Sequence, residues 1–107
     1  MTTNEWLQKT RKVVGGDGYR FEEVRPRVVC ADGYSVSIQA DRNMYCSPRI
    51  DGAEWYYKVE LGYPSAEDSL INDYAEDDDY TKTVYGYVPV EIVDKLLEKH
   101  GGIINKI

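Results

Sequence analysis

Apolar and polar residues alternate most clearly over Tyr34–Ala40, where Tyr34, Val36, Ile38 and Ala40 share one side and Ser35, Ser37 and Gln39 share the other. A period of two predicts a strand with one buried and one wet face. Arg27–Cys30 precedes it across Asp32-Gly33, and Asp-Gly between two β-prone runs predicts a hairpin. Trp55–Gly62 alternates again, with Trp55, Tyr57, Val59 and Leu61 on one face and Tyr56, Lys58 and Glu60 on the other. Thr83–Val88 predicts the last strand, and Gly86 within it predicts a bulge or a close backbone approach.

Helical spacing follows. Pro89 at a first helical position, the stripe Ile92, Val93, Leu96 and Leu97, and the stop Gly101-Gly102 predict a helix over Pro89–His100. Thr2-Thr3-Asn4-Glu5 fits a capping box. With Trp6, Leu7, Val13 and Val14 on one face it predicts a helix from Thr3 to Val14, ended by the glycines of Gly15–Gly18, which also suit a hinge. Tyr19–Phe21 predicts an edge strand before Arg25-Pro26. Ser65 with Glu67 and Asp68 in a first turn predicts a short helix to Tyr74, its stripe formed by Leu70, Ile71, Tyr74 and Ala75. Asp41–Glu54 is a long connection.

These elements predict an α+β fold: an antiparallel sheet of three to five strands from residues 27–40, 55–62 and 83–88, packed on the C-terminal helix. The short acidic helix and the N-terminal helix are expected at the periphery. A length of 107 residues bounds this to a single domain, divided into an N-terminal helix with its Gly-rich linker (1–18) and a core (19–107).

Charge changes the picture. The formal charge is −6, and Glu60, Glu67, Asp68, Asp73, Glu76, Asp77, Asp78 and Asp79 all fall between Val59 and Tyr80, where there is no lysine or arginine. Such a segment repels nucleic acid and attracts basic protein surfaces, so direct nucleic-acid binding is disfavoured. No apolar window is long enough to span a membrane, and the first residues lack the pattern of a secretion signal, so a non-secreted, soluble chain is expected. Ten tyrosines against one phenylalanine favour half-wet surfaces and interfaces.

The candidate chemistry is sparse. Cys30 and Cys46 are the only cysteines and are expected reduced; with His100 they fall short of a zinc set, so no metal and no cofactor is expected. Asp77–Asp79 lacks the spacing of an EF-hand loop. Cys46, Arg49 and His100 would make a nucleophile with its base only if the loop and the last helix turn met. The default roles are a buried thiol and a helix-terminal cation. Catalytic residues are therefore not assigned, and a non-enzymatic protein is expected.

The blocks Val29–Ala40, Tyr45–Arg49, Val59–Ser65, and Thr83–Glu91 with His100–Gly102 together resemble a group of small, uncharacterised proteins encoded by tailed bacteriophages and prophages. The resemblance covers roughly residues 27–102 and leaves the N-terminal helix and linker outside it. It implies the cytoplasm of a bacterial host as the setting. The expected function is that of an accessory protein that binds and modulates a host protein, in the manner of an anti-defence inhibitor or nucleic-acid mimic. Glu67, Asp68, Asp73, Glu76, Asp77, Asp78 and Asp79 would face a basic surface, with Tyr74 and Tyr80 as aromatic anchors. The alternative is a nucleotide or cyclic signalling ligand held by Arg42, Tyr45, Arg49, Tyr85 and Tyr87. A virion structural or assembly role is the third.

Overall fold

A computed structural model describes residues 1–106. In chain order the elements are helix α1 (Thr3–Lys9), strands β1 (Val13–Gly16), β2 (Tyr19–Glu22), β3 (Val28–Val29), β4 (Ser35–Gln39), β5 (Lys58–Gly62) and β6 (Val84–Pro89), and helix α2 (Val90–Lys99). A single 3₁₀ turn, Asn72–Tyr74, precedes β6. The fold class is α+β, as expected. Strands β3-β4-β5-β6 form an antiparallel meander, and β1-β2 is a separate two-stranded ribbon.

The core lies between the sheet and the helices. Val36 and Ile38 of β4, Val59 and Leu61 of β5, and Tyr85 and Val88 of β6 are buried against Val90, Val93, Leu96 and Leu97 of α2. Each such side chain is worth about 1.5–3 kcal/mol relative to exposure, so the period-two and period-3.6 patterns meet in one stabilising layer. Both outer edges of the meander are covered. Ala75 bridges Tyr85, with the Glu76 amide donating to Val84 O at 3.0 Å. On the β3 side Ile103 bridges Cys30, and Asn105 Oδ1 accepts from the Val29 amide at 2.9 Å. Neither edge offers a free ladder to another chain. No helix among the described residues is long and apolar enough to cross a membrane.

Several expected elements are corrected. The capping box forms, but α1 stops at Lys9, where Thr10 Oγ donates back to Trp6 O at 2.6 Å. Val13 and Val14 belong to β1, with Val14 opposite Phe21, and the glycines form a hairpin turn with Gly15 at φ 124° and Gly18 at φ 77°. Hairpin pairing with the neighbouring strand Tyr19–Glu22 turned two β-branched residues from helix into strand. Nor is α1 peripheral, since Trp6 and Leu7 are buried in the core.

Strand β5 starts only at Lys58. Ahead of it the Asn4 side chain brackets the Tyr56 backbone, donating to Tyr56 O at 3.0 Å and accepting from its amide at 2.8 Å. Tyr56 is therefore buried while Trp55 and Tyr57 stand 47% and 63% exposed, the reverse of the expected phase. The expected helix over 66–75 shrinks to the 3₁₀ turn. Its apolar stripe still packs, with Ile71 buried and Leu70, Tyr74 and Ala75 half-buried against the core. The Asp68 carboxylate takes the Leu70 amide at 3.0 Å, a local bond that competes with helix formation.

At Gly86 both expected features occur. Between the pairs Val59–Val88 and Leu61–Tyr85, two residues of β6 oppose the single Glu60 of β5, which defines a bulge. A Cβ on Gly86 would lie 3.3 Å from Tyr45 Cβ, so Tyr45 also crosses closely over this glycine.

Helix α2 ends as a Schellman motif, with the Gly102 amide donating to Leu97 O at 2.8 Å and the Gly101 amide to Glu98 O at 3.0 Å. Gly101 has φ 90°, and a Cβ there would meet Ala31 Cβ at 2.8 Å. Gly101→Ala is expected to cost about 1–2 kcal/mol from the left-handed backbone alone, with the Ala31 contact adding to it. Urea unfolding midpoints would read the loss, and an unchanged midpoint would contradict it.

Candidate functional site

The acidic segment is a shaped loop. Its start is pinned by the Ala75–Tyr85 bridge, and the Tyr85 hydroxyl donates to Tyr80 O at 2.6 Å. Between these points the Asp79 amide donates to Asp77 Oδ1 at 3.0 Å, and the Lys82 amide donates to Asp79 O at 2.9 Å. The amide of Asp79, then a bond with Asp78, hold the Asp77 carboxyl below its usual range, so the charge stays on. Glu67, Asp73, Glu76, Asp77, Asp78 and Asp79 are exposed, and among the described residues none of them forms an ion pair. Tyr74 and Tyr80 are half-buried beside them.

Asp68 does not belong to this surface. Its side chain is buried and faces inward, 3.0 Å from Lys99 Nζ and 2.9 Å from His100 Nε2. His100 Nδ1 meets Asp32 Oδ2 at 2.6 Å, and the Tyr34 ring stacks on the imidazole at 3.9 Å between centroids and 8° between planes. Burial opposes charge on His100, but the bonds to Asp32 and Asp68 outweigh it and raise its pKa. Burial also opposes charge on Asp68; the Leu70 amide, His100 and Lys99 reverse that and lower it. The Tyr34 amide, then His100, lower Asp32. Burial pushes the Tyr34 hydroxyl up, and it finds no hydrogen-bond partner among the described residues.

This cluster escaped the sequence reading. Asp32 carried the signal of a turn residue, Asp68 that of one acid among eight, and His100 that of a helix-end cation. The convergence spans 68 residues between Asp32 and His100, and no local pattern encodes it.

The alternative ligand set is only partly assembled. Tyr45 and Tyr87 lie 5.9 Å apart, and the Arg49 guanidinium sits 5.3 Å over the Tyr45 ring. Tyr85, however, is fully buried. Arg42 is occupied elsewhere, donating to Arg20 O at 2.6 Å and pairing with Asp51 at 3.7 Å. The bulge explains the split, because the extra residue puts Tyr87, at φ 53°, on the opposite face from Tyr85. A cavity of about 410 Å³ lies elsewhere, lined by Met1, Thr2, Asp94, Leu97 and Glu98 with Gly101 and Gly102.

Nor do Cys46, Arg49 and His100 assemble into a nucleophile and base. Both ring nitrogens of His100 face carboxylates, and the buried Cys46 thiol donates to Asp41 O at 3.2 Å. Burial pushes that thiol's pKa up, away from a reactive thiolate. Cys30 and Cys46 are both free and buried.

Comparisons with protein-family models, with curated proteins and with solved structures return no match for this chain.

Proposed function

We propose that this chain is a binding protein that docks its acidic loop on a basic surface of a partner protein and modulates that partner. The resemblance to bacteriophage proteins makes a protein of the bacterial host, a component of antiviral defence among the candidates, the expected partner. One observation carries the reading: Glu67, Asp73 and Glu76–Asp79 are exposed and, among the described residues, without an ion-pair partner, and Glu76–Asp79 lie in a loop held to β6 by the Glu76 amide on Val84 O and the Tyr85 hydroxyl on Tyr80 O. Unneutralised like charges repel one another, so the fold bears a cost that a cationic partner would relieve. Tyr74 and Tyr80, half-buried at the rim, supply rigid amphipathic contact area. Asp68, placed in the same contact surface by the sequence, is left out of it here because Lys99 and His100 already neutralise it.

The test is capture from a bacterial host lysate by the tagged full chain beside the variant D77S/D78S/D79S. The wild type is expected to retain a partner that the variant holds at least about tenfold more weakly, with an association rate that falls as salt rises. Equal capture by both proteins would overturn the reading.

A further inference from the structure

Two segments distant in sequence meet at the end of α2, and one imidazole joins them. Asp32 and Tyr34 come from the β3–β4 turn and Asp68 from the start of the acidic segment, and both segments meet His100 at the C-cap of α2. The His100 side chain is only 15% exposed. A neutral imidazole has one N–H and one lone pair, yet here each ring nitrogen faces a carboxylate oxygen, at 2.6 Å and 2.9 Å. Either neutral tautomer would press a lone pair against an anion. The geometry is satisfied only when both nitrogens carry protons.

We infer that His100 is a proton-operated latch: as an imidazolium it ties the β3–β4 turn and the start of the acidic segment to the end of α2, and loss of its proton loosens that junction. This does not depend on the binding reading. The charged groups facing it are Asp32 from the turn, Asp68 from the loop and Lys99 from its own helix, with the un-ionised Tyr34 on its ring face. Asp68 is 3% exposed at its side chain and Asp32 is 50% exposed, so the two carboxylates respond differently. The remaining proton of a neutral His100 stays on Nε2, because Asp68 is buried and, even with Lys99 beside it, cannot turn to water as the half-exposed Asp32 can. Asp32 then turns to water, and the bond to Asp68 loses its charge assistance.

The sign follows from proton linkage. His100 in the closed state holds its proton to higher pH than an ordinary histidine, so the closed junction binds more protons than the open one between about pH 6.5 and the raised midpoint. Closure is strongest below that window while Asp32 and Asp68 stay ionised, is lost as pH rises through the window, and weakens again in acid as the two carboxylates protonate.

Nuclear magnetic resonance of the full chain from pH 5 to pH 9 tests this. The expected result is two protonated ring nitrogens on His100 at pH 6 and a midpoint above about 6.5. The amides of Leu70 and Tyr34, bonded to Asp68 Oδ1 and Asp32 Oδ1, should open more with rising pH. Corrected for intrinsic exchange, that opening rises by up to about tenfold per pH unit within the window. Asp32→Asn, a change at a half-exposed side chain, should lower the His100 midpoint while the fold stays intact. A single protonated ring nitrogen at pH 6, a midpoint at or below that of a free histidine, or a midpoint unmoved by Asp32→Asn would each overturn the latch.

Discussion

Arg25→Ala is expected to lower the unfolding free energy by about 3–5 kcal/mol, the range for removing one member of a buried ion pair. The side chains of Arg25 and Glu22 are each 1% exposed and lie 2.9 Å apart. The guanidinium also donates to Leu7 O at 3.1 Å and to Ala40 O at 2.9 Å, so it joins the end of α1, the ribbon and the end of β4. Gln39 brackets its backbone, accepting from the Arg25 amide and donating to Arg25 O, each at 2.9 Å. Alanine would leave two carbonyls without this donor and Glu22 with Arg11 alone, whose own side chain is 43% exposed. Replacing both charges at once, as Glu22→Leu with Arg25→Met, is expected to recover part of the loss, because no orphaned buried carboxylate remains while the Leu7 and Ala40 carbonyls still lack their donor. Urea unfolding of the three proteins reads these differences, provided that the denaturant slope is unchanged. A loss under about 1 kcal/mol for Arg25→Ala would mean that water reaches the pair.

What was legible in the sequence is what short-range physics determines. Alternation over β4, Asp32-Gly33 in its hairpin and the stripe and glycine stop of α2 each rest on residues within a few positions of one another. The bulge at Gly86 was legible too, but not its consequence: one extra residue separates Tyr85 from Tyr87, which an unbroken strand would keep on one face. Val13-Val14 shows that even a local pattern can be ambiguous. Its spacing from Trp6 and Leu7 suits a helix, the glycines after it suit a helix stop or a hairpin turn equally, and only pairing with Tyr19–Glu22 decides. Of the candidate site, the exposure of Glu76–Asp79 could be read from composition alone. The recruitment of Asp68 by Lys99 and His100 could not, since those partners are 31 and 32 residues away. Arg25-Pro26 likewise has the sequence signature of an exposed connection, while its guanidinium is at the centre of a buried network.

Trp6→Ala is expected to cost about 3–5 kcal/mol, the range for truncating a large buried aromatic side chain. Trp6 is fully buried, and α1 around it is tied down at both ends. Thr3 donates to Asp94 Oδ1 through its amide at 2.8 Å and its hydroxyl at 2.6 Å, and Arg25 grips Leu7 O at the other end. A conservative change separates packing from polarity. The indole N–H has no acceptor among the described residues, so Trp6→Phe removes an unsatisfied donor while keeping a ring in place. It is expected to lose less than half of what alanine loses. A change within about 0.5 kcal/mol for Trp6→Ala would restore α1 to the periphery, where surface substitutions have effects of that size. The consequence reaches the functional surface, because α1 grips Asp94 of α2 and the Tyr56 backbone ahead of β5. Loosening it strains the helix that His100 caps and the strand pair that positions the acidic loop. Capture of a basic partner by Trp6→Ala should therefore weaken in parallel with its stability, whereas D77S/D78S/D79S should lose capture with its unfolding midpoint intact.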